Sequence, residues 1–164
     1  MKKLLTLTIL SIISACATTD ETSSKFNSGL DNFNTNVEKV DAEFTSFENG
    51  DLQVMFDGAS ENLIWSSPAG DSLSKQEWMD GMKEWHNEFE NFKFVNRQYY
   101  PGVDDKEFLP DGGVRSYGTW TFNHKATGTE FAQTYYSVQQ FDDQGNTSFI
   151  WEFFDMGSIY LALQ

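Results

Sequence analysis

Two carboxyl side chains near the C-terminus, Glu152 and Asp155, are the candidates for chemistry in this chain. A carboxyl group buried among apolar side chains has a raised pKa and can exchange a proton near neutral pH. Because residues three apart on a strand point to opposite faces, only one of the two can enter a shared pocket. We predict that this residue is Asp155, since it shares a strand face with Trp151 and Phe153.

The tyrosines and histidines are weaker candidates for site residues. Tyr117 and Tyr135 lie on successive predicted strands, and their hydroxyl groups could donate hydrogen bonds into a cavity if their sheet face is concave, or join a partner surface if it is convex. His86 is expected to be partly exposed on a helix, and His124 is expected in a solvated hairpin turn. Neither histidine has a carboxylate or cysteine at metal-ligand spacing, so we predict no metal and no other cofactor.

Composition limits the classes of partner. The chain has 164 residues, with 11 Lys and Arg against 25 Asp and Glu, which gives a formal net charge of −14. A field of that sign repels phosphate groups, so nucleic-acid binding is not expected. Fifteen Phe, six Tyr and five Trp are too many rings for a disordered acidic chain. The length and the aromatic content predict one folded domain.

The first 28 residues have the pattern of an export signal followed by a lipid anchor. Lys2 and Lys3 precede an uncharged stretch that would span about 15 Å as a helix, half of the roughly 30 Å hydrocarbon core of a membrane. Ile13-Ser14-Ala15-Cys16 resembles the lipobox of bacterial lipoproteins. We predict a signal peptide over residues 1–15, an acylated Cys16 with a flexible tether over 16–28, and anchoring in the bacterial cell envelope. In bacterial lipoproteins the residue after the cysteine influences sorting, and aspartate there is associated with retention in the inner membrane. Because residue 17 is Ala, this resemblance favours the outer membrane.

The helical elements come first. Apolar residues recur at intervals of three and four over residues 30–47, which predicts an amphipathic helix that Gly50 ends. Asp51 is predicted to cap a short second helix. Ser74 and Glu77 have the spacing of a capping box and predict the start of a third helix.

Strands follow the helices. After Asn91 the apolar period changes to two, which predicts four strands joined mostly by short turns and therefore antiparallel. Their predicted ranges are 92–100, 114–123, 130–141 and 147–155. Helices grouped before an antiparallel sheet indicate an α+β fold with the helices on one face.

Short motifs occur in a characteristic order over residues 30–164: Phe47-Glu48-Asn49-Gly50-Asp51-Leu52, Leu63-Ile64-Trp65 with Pro68 and Gly70, Leu73-Ser74, and Trp151-Glu152-Phe153-Phe154-Asp155-Met156. In order and spacing they resemble the SnoaL-like branch of the nuclear transport factor 2-like superfamily. The resemblance implies a cone-shaped α+β barrel over residues 29–164, in which a strongly bent antiparallel sheet wraps around three N-terminal helices.

The resemblance also implies a pocket for a small, mostly apolar or aromatic ligand at the open end of the cone. Positions that match the family pocket are Phe56, Trp65, Trp151, Phe153 and Asp155, although the same rings could simply fill the core. Three functions remain open: an envelope lipoprotein that binds such a ligand, an isomerase, cyclase or hydratase that uses Asp155, or a component that forms a homodimer or binds a partner through its sheet.

Overall fold

In the computed structural model, the backbone is described for residues 2–164 and the side chains for residues 20–164. The predicted signal peptide and the acylation of Cys16 fall outside the described side chains and stay predictions. Within the described part of the chain, no helix is long and apolar enough to span a membrane. The elements in chain order are α1 (Lys2–Asn49), α2 (Gln53–Gly58), β1 (Ala59–Ser66), β2 (Ser72–Ser74), α3 (Lys75–Glu88), β3 (Phe89–Val103), β4 (Pro110–His124), β5 (Glu130–Phe141), β6 (Thr147–Phe153) and α4 (Met156–Ala162).

Helix α1 places an apolar stripe against the sheet. Val40, Phe44 and Phe47 recur at the predicted helical spacing, and all three are buried. The helix ends where Gly50 takes a φ of 74°, a left-handed conformation that costs glycine little. There the amide of Gly50 donates to the carbonyl of Phe47 at 3.1 Å. The predicted end of this helix is confirmed.

Residues 20–28, which were predicted to be part of a flexible tether, are helical and continue α1. Neither Pro nor Gly interrupts the chain between residues 17 and 28. Lys25 also joins this part of the helix to the loop before β4 through an ion pair with Glu107 at 2.9 Å. At Gly29 the helix passes so close to the carbonyl of Pro110 that a Cβ atom would clash with it. Contact with the sheet side of the molecule therefore begins before residue 30.

A local capping signal fixes the start of α3, whereas the start of α2 has no side-chain cap. The capping box of α3 is confirmed: Ser74 Oγ accepts from the amide of Glu77, and the Glu77 carboxylate accepts from the amide of Ser74 at 2.8 Å. The predicted cap of α2 is wrong, because Leu52 holds the N-cap position and no side chain bonds there. Asp51 is instead part of the end of α1, where its amide donates to the carbonyl of Ser46.

Six strands form one sheet in the order β2-β1-β6-β5-β4-β3. Strands β3 to β6 pair antiparallel in succession, as the short turns predict. Strand β1 pairs parallel with β6, so the sheet is mixed and not wholly antiparallel as expected. No hairpin joins these two strands, and their relative direction is therefore not set by a turn. The α+β class is confirmed, and the sheet stays open with β2 and β3 as its edges.

The core lies between the helices and the face of the sheet that they cover, which we call the inner face; the opposite side is the outer face. Side chains from α1, α2 and α3 meet inner-face rings such as Phe92 and Phe122 in one cluster. A second cluster joins Val40 and Phe44 of α1 to Phe94 and Tyr135 of the sheet. The two clusters enclose the space in which the candidate site lies.

Candidate functional site

A cavity of about 280 Å³ opens between the helices and the inner face of the sheet. Its exposed lining residues, Ala69, Asp71 and Met156, mark its open end. An apolar cavity of roughly 150 Å³ can hold benzene, so this one has room for a somewhat larger apolar molecule. Aromatic rings form most of its wall: Phe44, Phe47, Trp65, Trp85, Phe92, Trp120, Phe122, Tyr135 and Phe154.

Glu152 is the carboxyl group set deepest in this apolar wall. Its Oε2 accepts a hydrogen bond from Trp65 Nε1 at 2.7 Å, and its Oε1 accepts one from the Tyr135 hydroxyl at 2.6 Å. The Glu152 side chain is enclosed by protein, and it remains partly accessible because it borders the cavity. Burial raises the pKa of Glu152, and the two hydrogen bonds only partly offset that effect.

Strand order explains why the two donors meet at this carboxyl. Strand β6 lies between β1, which carries Trp65, and β5, which carries Tyr135. The register aligns Trp65 with Ile150 and Tyr136 with Phe153. Because side chains alternate along β6, Ile150 and Glu152 share the inner face. The carboxyl therefore receives one donor from each neighbouring strand.

Both donors to Glu152 are uncharged and well fixed. Burial, followed by the nearby Glu152 carboxyl, raises the pKa of Tyr135 well above its ordinary value, so its hydroxyl stays protonated. The Tyr135 ring packs edge-on against Phe94 and Phe44 at 5.4 and 5.9 Å. The indole nitrogen of Trp65 can only donate. Glu152 thus has two hydrogen-bond donors but no positively charged partner among them.

The structure reverses the predicted orientation of the two candidate carboxyls. Asp155 follows the end of β6, is exposed, and caps α4 by accepting from the amide of Ser158 at 3.0 Å. It does not line the cavity, whereas Glu152 does. Strand β6 ends at Phe153, so Asp155 does not continue the alternation of Trp151 and Phe153 on which the prediction rested.

The six predicted pocket residues divide into three groups. Trp65 and Tyr135 line the cavity as predicted. Phe56 is buried behind it and contacts the ring of Trp78 at 5.5 Å, which is a core position. Tyr117, Trp151 and Phe153 lie on the outer face and are 40%, 44% and 39% exposed.

The pairing register of the strands explains why Tyr117, Trp151 and Phe153 were wrongly predicted to line the pocket. Tyr117 aligns with Tyr136 across β4 and β5, so Tyr117 and Tyr135 point to opposite faces of the sheet. The face that carries Tyr135 is the inner one, which settles the alternative that the sequence left open for that residue. Glu152 was the candidate carboxyl set aside in favour of Asp155, and the cavity rings of Trp85, Trp120, Phe44 and Phe92 were not predicted as site residues. The change in period at Asn91 could have indicated Phe92, but β4 carries rings on both faces, and the rings of β6 all lie on its outer face.

The histidines lie away from the cavity lining. His86 packs edge-on against Phe47 at 4.5 Å and beside Phe92 at 4.7 Å, and burial lowers its pKa. His124 ends β4 and contacts Thr127 through Nδ1 at 2.9 Å, in the predicted turn region. Among the residues whose side chains are described, no cluster of three His, Cys, Asp or Glu could hold a metal ion.

A second buried carboxyl, Glu43 of α1, lies outside this cavity. Its oxygens accept from Gln139 Nε2 at 3.0 Å and from the Thr147 hydroxyl at 3.3 Å. Burial raises the pKa of Glu43 to about 7. Glu43 also borders a small surface cleft with Lys39, whose ammonium group donates to the carbonyl of Gly145 at 2.8 Å. These contacts join α1 to β5, to β6 and to the turn between them.

Comparison with solved structures finds the same fold in proteins of low sequence identity, whereas no family model and no curated protein matches. A proposed polyketide cyclase from Xanthomonas campestris pv. campestris has a TM-score of 0.68 at 11% identity, covering 81% of this chain and 99% of that one. A proposed isomerase from Bacillus subtilis has a TM-score of 0.66 at 16% identity, covering 80% and 94%.

A third similar structure is a protein with a ketosteroid isomerase-like fold from Catenulispora acidiphila, solved in complex with trimethylamine. Its TM-score is 0.61 at 11% identity, covering 74% of this chain and 88% of that one. The chain therefore shares the fold of these proposed cyclase, proposed isomerase and ketosteroid isomerase-like structures, which is the fold that the resemblance of its sequence motifs implied. One fold hosts many chemistries, so function has to be argued from the site.

Proposed function

We propose that the cone binds a small, mostly apolar molecule, and that Glu152 fixes its polar group. The observation that carries the proposal is an open cavity of about 280 Å³ whose wall is mainly aromatic and which has one carboxyl deep inside. Ligand pockets combine apolar walls with a few convergent polar groups in this way. Burial of the ligand's apolar surface would supply the affinity, and the carboxyl would orient it.

Methionine methyl groups allow a direct test, because Met55, Met82 and Met156 line the cavity and Met79 does not. On addition of naphthalene as a neutral aromatic probe, we expect saturable shifts of the first three methyl NMR signals and little change at Met79. Ala69→Trp at the open end should block these shifts, whereas Ala126→Trp in an exposed turn should not. Shifts that are absent, or that survive Ala69→Trp, would overturn the proposal.

Acid–base catalysis is a second candidate, and the environment of Glu152 favours it. A carboxyl with a raised pKa can accept a proton from a bound substrate near neutral pH. As Glu152 takes that proton, the Tyr135 hydroxyl beside it could turn its single O–H from Glu152 to a developing oxyanion. The fold neighbours described as a proposed cyclase and a proposed isomerase are consistent with such chemistry.

Kemp elimination of 5-nitrobenzisoxazole can test this second candidate without knowledge of the natural substrate, because the reaction needs only a base beside an apolar aromatic molecule. We expect a rate that rises with pH through the Glu152 pKa and that falls at least about tenfold in Glu152→Gln. Asp155→Asn serves as the matched control and should keep the rate, since Asp155 lies outside the cavity. Equal rates in the Glu152→Gln variant and the unmodified protein would exclude Glu152 as the base.

For the N-terminal region, the proposal is that acyl chains on Cys16 anchor the protein in the bacterial cell envelope, in the outer membrane. Several acyl chains hold a protein stably at a membrane, where one chain is marginal. The support is the lipobox-like sequence at residues 13–16. Cys16→Ser should move the protein from the membrane fraction to the soluble fraction. Persistence of the variant in the membrane fraction would contradict the anchor.

The proposed partner of the sheet is a second copy of this chain, bound through an outer aromatic row of Tyr100, Tyr117, Tyr136, Phe153 and Trp151. Neighbouring ring centroids in the row are 4.5 to 5.7 Å apart. Arg115 lies beside the row, with no carboxylate at the flanking outer-face positions Val95, Gln98, Thr119, Thr134 and Val138. Two chains of net charge −14 could therefore meet there without facing acids.

The test of this homodimer is the molar mass in solution, measured by light scattering on protein that carries Cys16→Ser so that no acyl chain drives association. We expect a dimer that Tyr136→Ser converts to a monomer. Thr121→Ser, elsewhere on the outer face, should leave the dimer intact. A monomer at all concentrations before any tyrosine is replaced would refute the proposed interface.

A further inference from the structure

The charges around the cavity are all of one sign. The two ionisable acids on its lining are Glu152, deep in the wall, and Asp71, at the open end. Among the described residues, no Lys, Arg or His lines the cavity. The helices contribute only uncharged side chains to the wall: Phe44 and Phe47 from α1, Met55 from α2, Met82 and Trp85 from α3, and Met156 from α4.

Glu152 of β6 differs from Glu48 and Asp41, two partly buried carboxyls of α1, in having no cation beside it. Glu48 lies 3.5 Å from Lys93 and also pairs with Arg97, and Asp41 pairs with Arg97 at 2.8 Å. The partners of Glu152 are a tyrosine hydroxyl and an indole N–H, each bonded to a different carboxylate oxygen. A carboxylate can accept about four hydrogen bonds, so each oxygen keeps capacity for a ligand donor.

We infer that the cavity selects a cationic ligand, an organic amine or quaternary ammonium group carried on an apolar body, for which Glu152 is the counter-ion. This inference rests on the ligand-binding function proposed above and specifies its chemical class. The apolar body would contact the aromatic wall. Ring faces carry partial negative charge and attract ammonium groups, an interaction that strengthens when water is excluded. An anionic ligand would instead meet two carboxylates with no compensating positive charge.

Because cation binding and ionisation of Glu152 are linked, the proposed selection predicts the direction in which affinity changes with pH. Burial without a counter-ion raises the pKa of Glu152, and a bound cation would lower it again by favouring the ionised form. The other titratable groups that face the cavity are Tyr135, which stays protonated, and Asp71 at the open end. A permanently charged cation should therefore bind more tightly as pH rises through the Glu152 pKa, whereas an uncharged molecule of the same shape should not.

The experiment compares benzyltrimethylammonium with neopentylbenzene, its uncharged isostere, through the methyl NMR shifts of Met55, Met82 and Met156. At about pH 8 and about 0.15 M salt, which screens the overall field of the protein, we expect the cation to bind at least about tenfold more tightly than the isostere. Glu152→Gln should abolish that preference. Glu90→Gln, which removes an exposed carboxyl outside the cavity and changes the net charge equally, should preserve it.

The outcomes separate this inference from the binding function on which it rests. If the isostere binds at least as tightly as the cation, the cavity binds apolar molecules but does not select a cation, and the inference is wrong. If neither molecule shifts the cavity methyl groups, both the inference and the binding function fail. The pH dependence in the unmodified protein supplies a readout that does not depend on the folding of Glu152→Gln: affinity for the cation that is flat or that falls with pH would also overturn the inference.

Discussion

Replacement of Glu43 by Gln should stabilise the protein at high pH and leave its stability nearly unchanged at low pH. Burial raises the pKa of Glu43 from 4.5 to about 7. Below about pH 4.5 the group is protonated in both the folded and the unfolded chain. Between these two pH values the folded chain keeps a proton that the unfolded chain has lost, so the free energy of unfolding falls as pH rises and levels off above about pH 7.

The size of the effect follows from the same two pKa values. At about 1.4 kcal/mol for each pH unit, a rise from 4.5 to about 7 corresponds to about 3 kcal/mol of unfolding free energy lost on going to high pH. Gln cannot ionise, so Glu43→Gln should avoid this loss. Its amide can still accept from Thr147 or Gln139, and its NH₂ group could donate to Gln139 Oε1, which is buried without a partner. The variant should therefore match the protonated state of Glu43.

Urea unfolding followed by tryptophan fluorescence, at several values between about pH 4.5 and 8.5, measures this difference. Relative to the unmodified protein, Glu43→Gln should be within about 1 kcal/mol at the acidic end and about 3 kcal/mol more stable at the alkaline end. Glu38→Gln removes an exposed carboxyl from the same helix and should show no comparable trend. A stability difference that does not change with pH, or a variant that is less stable at high pH, would refute the reasoning.

Two further predictions concern packing and ion pairs. Gly118→Ala should lower the free energy of unfolding by about 2 kcal/mol, because the new Cβ would clash with the Phe94 ring and lie 3.0 Å from the carbonyl of Val95; a urea-measured loss below about 0.5 kcal/mol would contradict this. Arg97→Met should cost about 2 kcal/mol at pH 7, because the Asp41 and Glu48 carboxyls lose the guanidinium that binds both. Their pKa values are lowered in the folded chain, which adds stability above their ordinary pKa values that is lost on acidification. The deficit of the variant should therefore shrink toward about pH 3, and a constant deficit would argue that the loss is one of packing alone.

Local signals in the sequence predicted the parts of the fold that short-range geometry determines. Gly50 ends α1 because a left-handed residue is needed there, and Ser74 with Glu77 closes a capping box that involves only four residues. The antiparallel pairs from β3 to β6 follow from their connections, as expected. The parallel pair of β1 with β6 joins segments about 90 residues apart, and nothing near either strand specifies its direction.

The candidate site was harder to predict because it depends on which face each strand turns inward. In β6 the sequence Phe149-Ile150-Trp151-Glu152-Phe153 has apolar side chains on both faces, so its alternation does not identify the buried one. The sequence prediction counted Asp155 as part of the strand and therefore placed Trp151 and Phe153 on the inner face. The structure assigns it to Ile150 and Glu152, since the strand pairs with β1 and β5 in that register. A shift of one residue thus exchanges a cavity carboxyl for outer-face rings.

The two buried carboxyls differ in what they contribute to the fold, and the difference supports a ligand-binding role for Glu152. Glu43 accepts hydrogen bonds from Gln139 and Thr147 and so fastens α1 to the sheet, across elements that share no backbone ladder. Glu152 accepts from Trp65 and Tyr135, whose strands are already joined to β6 by backbone pairing. An apolar side chain of similar volume at residue 152 would avoid the desolvation cost of the carboxyl, although the Trp65 and Tyr135 donors would lose their acceptor. A buried carboxyl that adds little to strand pairing, has no counter-ion and borders an aromatic cavity fits the proposed role of orienting a bound molecule.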